Sequence, residues 1–268
     1  MQATRGTSGR EQRWRRKHDG QSVRLLLALA LAMGLVIPAH GQDLAAANAL
    51  YDQGVMLKAA ELARGSGNAD GYALASKATL VAAVYQRSRL DVALLQQAVV
   101  DARAALALDP DHVPALLQLA LAIGYMAEED PIGAHFEGSA HEGKALLDRA
   151  LALAPDHAWA HGMLGVWHLR LIKHAGPLLA QSLYDASLDR GLEQCAEAAS
   201  LAPDDLAMRF GCAVSLLEAH PRRYAGEAAD VLDTVVRLPA RDAAARLVQA
   251  EARRRLAALK SDLPDSWD

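Results

Sequence analysis

The sequence lacks the short motifs by which common catalytic sites are recognised. It contains no Gly-x-Ser-x-Gly, no complete His-Glu-x-x-His and no glycine-rich loop after a predicted strand. His141-Glu142 begins the second of these motifs, but no histidine stands four residues after His141. Apolar–polar alternation with a period of two is also missing, so we predict no β-strand. These absences favour an all-α protein that is not an enzyme and needs no cofactor.

Aromatic residues are also few. They make up 4% of the 268 residues, although 52% of the residues are hydrophobic. The apolar residues are mostly alanine and leucine, which form helices well and allow helices to pack with closely spaced backbones. The composition therefore indicates a helical protein with a core of small side chains.

The N-terminal region lacks a hydrophobic run long enough for a typical membrane span. Seven basic residues precede an uncharged run of 13 residues, Leu25–Ile37, whereas a spanning helix needs about 20. Small residues follow in Pro38-Ala39-His40-Gly41, as they do before a cleavage site. We interpret residues 1–41 as a secretory signal peptide and predict a periplasmic protein that begins at Gln42. The alternative is an uncleaved inner-membrane anchor, in which case only residues 25–37 contact the membrane.

Positive charge is scarce once this segment is set aside. Residues 1–41 hold seven of the 28 basic residues and two of the 32 acidic ones, which leaves residues 42–268 with a net charge of −9. An acidic surface repels a phosphate backbone, so nucleic acid is not expected as a partner.

One short pattern occurs four times between residues 105 and 242. Residues 105–112 are Ala-Leu-Ala-Leu-Asp-Pro-Asp-His, and related copies occupy residues 151–157, 199–205 and, more weakly, 236–242. The prolines of these copies are 45, 48 and 36 residues apart. Proline ends an apolar helix, and the acidic residue after it can cap the next helix. A repeat of this length predicts a right-handed solenoid of about four helix pairs.

The predicted helices follow from these turns. A first helix covers residues 43–64. The predicted pairs are 70–86 with 91–108, 112–127 with 139–153, 157–174 with 188–201, and 205–219 with 224–237. A more charged closing helix at 242–260 caps the solenoid, and residues 261–268 form a frayed tail. The helical repeat domain is thus predicted to span residues 42–260.

The residues around these turns resemble the tetratricopeptide repeat (TPR). Gly143 and Ala150 precede Pro155 where the TPR pattern has small residues, and Leu164-Gly165 matches the first helix of the following repeat. Leu164-Gly165-x-Trp167, followed by a long insertion and another helix, also resembles the regulator of microtubule dynamics family. Both resemblances imply stacked helix pairs in stretched repeats.

The repeats exceed the TPR length of 34 residues, and the surplus falls in two insertions. Residues 128–140 and 175–188 separate the first helix (helix A) from the second (helix B) in two successive pairs. Such insertions either carry binding specificity or only lengthen helices. Because they arise at equivalent points of successive repeats, we expect them on the same side of the solenoid.

The TPR resemblance also implies where a partner binds, because in that family one face of each A helix lines a concave groove. The residues at the corresponding positions are mostly apolar: Leu117, Leu121, Tyr125, Trp159, Val166, Leu169, Arg170, Phe210, Val214, Leu217 and Glu218. We therefore expect a protein–protein interaction scaffold that docks an apolar or helical segment of a partner protein. The alternative is that the chain's own helices or insertions fill the groove.

Histidine suggests a second function. His157, His161 and His168 lie within about 40° of one another on a helical wheel and, with a fourth ligand, could hold zinc. Histidine at these positions can instead pack between helices or start one. We predict no metal site and keep a small-ligand or metal-binding protein, built on these histidine-rich repeats, as the alternative.

The only two cysteines, Cys195 and Cys212, flank the turn at Pro203. Antiparallel helices on either side of this turn bring them close, so they could form a disulfide in an oxidising compartment. Both also occupy packing positions, and buried free cysteines are common. Because helix axes about 8–10 Å apart do not guarantee disulfide geometry, we expect two adjacent buried thiols.

Overall fold

The structure is a computed structural model that describes residues 39–86, 89–136 and 138–262. These residues form twelve α-helices and no β-strand, so the all-α prediction is confirmed. The helices are α1 (Ala39–Gln53), α2 (Met56–Gly65), α3 (Ala69–Tyr85), α4 (Val92–Leu108), α5 (Val113–Glu129), α6 (Pro131–Phe136), α7 (Ser139–Leu153), α8 (Ala158–Tyr184), α9 (Leu188–Leu201), α10 (Leu206–Ala219), α11 (Pro221–Arg237) and α12 (Ala243–Asp262). The predicted signal peptide up to residue 38 and the predicted tail from residue 263 lie outside the described residues.

The first predicted helix is in fact two helices. We expected one helix over residues 43–64, but α1 ends at Gln53 and α2 begins at Met56. Gly54 between them has a φ of 89°, a left-handed conformation that glycine adopts without strain and that a right-handed helix cannot contain.

The repeated turns start helices one residue later than predicted. We expected the acidic residue directly after each proline to cap the next helix. The cap is instead the residue after that acid: His112, His157 and Asp205 each accept a hydrogen bond from the backbone N–H three residues further on. Asp111 contacts Arg149 of α7 instead, through a 2.6 Å ion pair.

The A helices stack side by side. They are α3, α5, α8 and α10, each of which contacts the next, and α4, α7, α9 and α11 are their B helices. α12 contacts α10 and occupies the next A position. Glycine permits close stacking of α8 on α10, because a Cβ atom on Gly162 of α8 would lie only 2.4 Å from Met208 of α10. The predicted solenoid of four helix pairs with a closing helix is confirmed.

The solenoid curves until its last helix meets its first ones. Ala243 of α12 belongs to the core cluster of α1, α2 and α3. The Arg246 guanidinium donates a hydrogen bond to the Asp52 carbonyl of α1, at 3.4 Å. Tyr85 at the end of α3 packs against the cluster that contains Val248 of α12. The concave face is therefore bounded by α12 and the N-terminal helices as well as by the repeats.

Both insertions are largely helical. The first contains α6, and the second continues α8 beyond a kink at Gly176, whose φ of 75° and ψ of 161° are not helical. Ala140, which follows α6, packs against the core cluster that contains Ala180 and Tyr184 of the continued helix. The insertions thus lie on the same side of the solenoid, as predicted.

Cys195 of α9 and Cys212 of α10 form a disulfide, so the expectation of two free thiols is wrong. Their Cα atoms are 6.0 Å apart. Gly165 of α8 explains the close approach, because a Cβ atom there would lie 2.7 Å from Cys195 Sγ. Because Gly165 has no side chain, α9 packs closely enough against α8 for Cys195 to reach Cys212 of α10.

Candidate binding site

The concave face of the A helices borders a cavity of about 1060 Å³. Side chains from α3, α5, α8, α10 and α12 line it, and residues of both insertions border it. Eight of the residues predicted for the groove are among them: Leu117, Leu121, Tyr125, Trp159, Val166, Arg170, Phe210 and Val214. The positions that the TPR resemblance implied therefore converge on one cavity, and their role in binding a partner stays a prediction.

Three predicted groove residues do not border this cavity. Leu169 is only 1% exposed and packs against Leu216 and Tyr224 on the other side of α8. The cause is Gly191 of α9, where a Cβ atom would lie 3.0 Å from Leu169, so this leucine fills the α8–α9 contact. Leu217 and Glu218 of α10 also lie outside the lining.

Four of the aromatic side chains that line the cavity pair their polar atoms within the protein. Trp159 Nε1 donates to Asp205 Oδ2 at 2.7 Å, and Trp167 Nε1 donates to the Ala140 carbonyl at 2.9 Å. The hydroxyl groups of Tyr85 and Tyr125 hydrogen-bond each other, and burial raises the pKa of both. These rings thus present apolar faces to the cavity.

A row of charges ties the A helices together at one end of the cavity. Glu128 of α5 forms ion pairs with Arg170 Nη1 at 2.6 Å and Lys173 Nζ at 3.1 Å, both on α8, and it contacts His174 Nε2 of the same helix at 2.9 Å. Burial raises the pKa of Glu128, but the charge of Arg170 and the hydrogen bonds from these three residues outweigh it and hold the pKa at about 2.

The same row continues to the closing helix. Lys173 also pairs with Glu218 Oε2 of α10 at 2.9 Å, and Arg255 of α12 pairs with Glu218 Oε1 at 3.2 Å. The TPR resemblance placed Glu218 in the groove, whereas its pairing with Arg255 was not predicted. Stacking in successive A positions brings α12 beside α10, and no local sequence pattern marks this network.

We expect Glu128→Gln to lower the free energy of unfolding by about 2 kcal/mol at pH 7, between the values typical of exposed and buried ion pairs. Because folding lowers the pKa of Glu128 from 4.5 to about 2, its stabilisation is complete above the unfolded value. It is lost as the pH falls towards 2, so the difference between wild type and variant should shrink across this range.

Urea unfolding followed by circular dichroism at several pH values measures this difference. Glu142→Gln is a matched control, because Glu142 pairs with Arg103 at 3.2 Å through side chains that are 44% and 60% exposed. This control should cost less than about 1 kcal/mol. A variant at position 128 that matches wild type at pH 7 would contradict the assigned role.

The three histidines considered for zinc do not converge. His157 caps α8, and His161 contacts the Gln194 side chain and the Pro155 carbonyl, both at 2.7 Å. His168 is 2% exposed, and burial lowers its pKa to about 4. Across residues 39–86, 89–136 and 138–262, the structure contains no group of three His, Cys, Asp or Glu side chains arranged to hold a metal ion.

A known protein family matches almost the whole of the described chain. The model of the family described as regulator of microtubule dynamics protein 1-3 matches residues 43–260. The chain belongs to this family. The regulator of microtubule dynamics match covers the whole repeat domain, and it confirms the resemblance that Leu164-Gly165-x-Trp167 carried. Within the described ranges of this family member, no helix is both long and apolar enough to cross a bilayer.

A solved structure shows the same architecture. The crystal structure of a thermophilic TPR protein from Thermus thermophilus superposes with a TM-score of 0.57 at 16% identity, over 80% of this chain and 99% of that one. No curated protein matches the sequence significantly. The regulator of microtubule dynamics chain therefore has a TPR-like fold, which is typically a non-enzymatic scaffold for protein–protein interaction.

Proposed function

We propose that this chain is a scaffold of the bacterial cell envelope that docks an apolar or helical segment of a partner protein on its concave face. The observation that carries the proposal is an apolar rim, formed by Ile132 of α6 and by Leu178, Leu179 and Leu183 of α8. Their side chains are 74%, 84%, 54% and 50% exposed, respectively. Large apolar side chains that cluster at this exposure mark interaction sites.

The rim is continuous with the cavity, because Ile132, Leu179 and Leu183 also border it. Leu179 and Leu183 are four residues apart and so lie on one face of α8. An amphipathic helix docks by inserting apolar anchors three or four residues apart between such side chains. The rim therefore suits the apolar face of a partner helix.

Two features support an envelope location. The Cys195–Cys212 disulfide is of the kind that persists in oxidising compartments, and residues 1–41 have the pattern of a signal peptide. N-terminal sequencing after cell fractionation tests this part of the proposal. A periplasmic chain that begins at Gln42 supports cleavage, whereas an intact N-terminus in the membrane fraction supports the anchored alternative.

We expect a photo-crosslinking amino acid at position 178 to capture a specific partner in living cells. The same amino acid at position 100 is the control, because Val100 is 59% exposed but lies on the B helix α4. Leu179→Asp combined with Leu183→Asp should reduce the adduct at least tenfold, since a buried hot spot contributes about 2 kcal/mol or more. Identical adducts from positions 178 and 100, or none from either, would contradict docking at the rim.

A further inference from the structure

The aromatic residues of this chain are concentrated around the cavity. The chain has two Phe, four Trp and six Tyr residues, and seven of these border this one space. Tyr51, Tyr85 and Tyr125 come from α1, α3 and α5, whereas Trp159, Trp167 and Tyr184 come from α8 and Phe210 from α10. A chain that builds its core from alanine and leucine thus places most of its rings on the walls of one cavity.

Most charged side chains that line the cavity are engaged by close neighbours, whereas Asp204 and Arg241 form a 3.7 Å ion pair through side chains that are 66% and 78% exposed. Glu128 and Arg170 pair with each other, and Lys77 Nζ lies 4.5 Å from the centre of the Tyr51 ring. Asp205 accepts from Trp159, and Asp242 caps α12 by accepting from the backbone N–H of Ala245. A charged ligand would have to displace one of these partners, so the lining favours a neutral ligand.

The size of the cavity favours a small molecule over a protein segment in its depth. Ligand pockets commonly measure about 300–1,000 Å³, and this cavity lies just above that range at about 1060 Å³. A helix with side chains is about 10–12 Å across, so a long partner helix would extend beyond a space of this size. A docked partner helix therefore suits the exposed rim, and the depth of the cavity remains for another occupant.

We propose that the cavity binds a neutral, mainly apolar small molecule with a ring system, which stacks against Trp159, Trp167 and Phe210. Stacked or edge-on aromatic pairs add stabilisation beyond the area they bury. An acyl chain would pack equally well against alanine and leucine, so aromatic walls give it no advantage. This site goes beyond partner docking at the rim and does not depend on it.

The protein contains its own reporter of this binding. Of the four tryptophans, Trp159 and Trp167 border the cavity, and the other two are Trp14 and Trp267 near the ends of the chain. In the full-length chain with Trp14→Phe and Trp267→Phe, tryptophan fluorescence arises from the cavity alone. The probes are menadione, a neutral bicyclic quinone that quenches tryptophan, and N-phenyl-1-naphthylamine, whose own emission rises in apolar surroundings. Palmitate and phosphatidylglycerol vesicles, which lack rings and carry negative charge, are the comparisons.

We expect both ring probes to saturate at about one molecule per chain and palmitate to bind at least tenfold more weakly. Phe210→Leu keeps an apolar side chain but removes a ring, and should weaken probe binding about three- to tenfold. Tyr72→Leu removes an aromatic ring outside the lining and should leave binding unchanged. Trp159→Leu, measured by naphthylamine emission, provides a second cavity variant, and thermal melts confirm that each variant is folded.

Three results would overturn the proposal: palmitate or vesicles binding as tightly as the ring probes, unchanged binding in both folded cavity variants, or no saturation by either probe. The assay uses the purified chain without a partner. Its failure is therefore distinct from a failure of rim crosslinking, which tests docking alone.

Discussion

Gly165→Ala is expected to lower the free energy of unfolding by about 3 kcal/mol, at the upper end of typical overpacking costs. The added Cβ atom would lie 2.7 Å from Cys195 Sγ, 2.9 Å from the Gly191 carbonyl oxygen and 3.0 Å from the Cys195 backbone nitrogen. Two of these three atoms belong to the backbone of α9. A side-chain rotation cannot relieve the contact, so α9 must move away from α8.

Gly124→Ala is the matched control. Gly124 lies within α5, and a Cβ atom there would meet no neighbouring atom within 4 Å. Alanine in a helix is more stable than glycine by about 0.5–1 kcal/mol, so this variant should be slightly stabilised. In thermal unfolding, the position 165 variant should melt about 6–12 °C below wild type. Equal melting temperatures for the two variants would show that α8 and α9 are not packed as described.

Removal of the Cys195–Cys212 disulfide is expected to cost about 3 kcal/mol. The bond closes a loop with a sequence separation of 17, and loops of this size lose about that much stability when they are opened. Its position increases its importance, because it fastens the B helix α9 to the following A helix α10. Reduction should lower the midpoint of urea unfolding, and alkylation with mass spectrometry reports the state of both thiols.

The double variant Cys195→Ser with Cys212→Ser separates the bond from side effects of the reductant. It should match the reduced wild type without reductant and should not respond when reductant is added. If reduction leaves the wild-type midpoint unchanged while alkylation shows two free thiols, the disulfide contributes nothing to the stability of the repeat domain.

The recurring Pro-Asp turns predicted most of the fold, because each turn is determined by residues next to one another in the sequence. One helix ends just before each of Pro110, Pro155 and Pro203, and a polar residue caps the next helix within two residues of the proline. Turns of this kind need no information from distant parts of the chain. The helix pairs and the order of the A helices followed from them, and the TPR resemblance added eight residues of the cavity lining.

The features that sequence reasoning missed depend on contacts between distant segments. Leu169 packs against α9 and not into the cavity, because Gly191 leaves room for its side chain. Cys195 and Cys212 form a disulfide because Gly165 allows α9 to pack close to α8. Gly165 matches the TPR pattern, but neither glycine indicates from its own helix which side chain of the facing helix it admits. Each glycine affects packing only where a second helix approaches it, and a helical wheel does not describe that approach.

The contact between the first and last helices changes what kind of solenoid this is. In an open solenoid each repeat touches only its neighbours, so stability adds up along one dimension and unfolding can begin at either end. Here Asp52 and Arg246 meet across 194 residues, and Tyr85 packs beside α12. Neither end is free to fray without exposing apolar surface of the other. Unfolding is therefore expected to involve both ends together, and folding must wait for a late, long-range closure that a short-range repeat never requires.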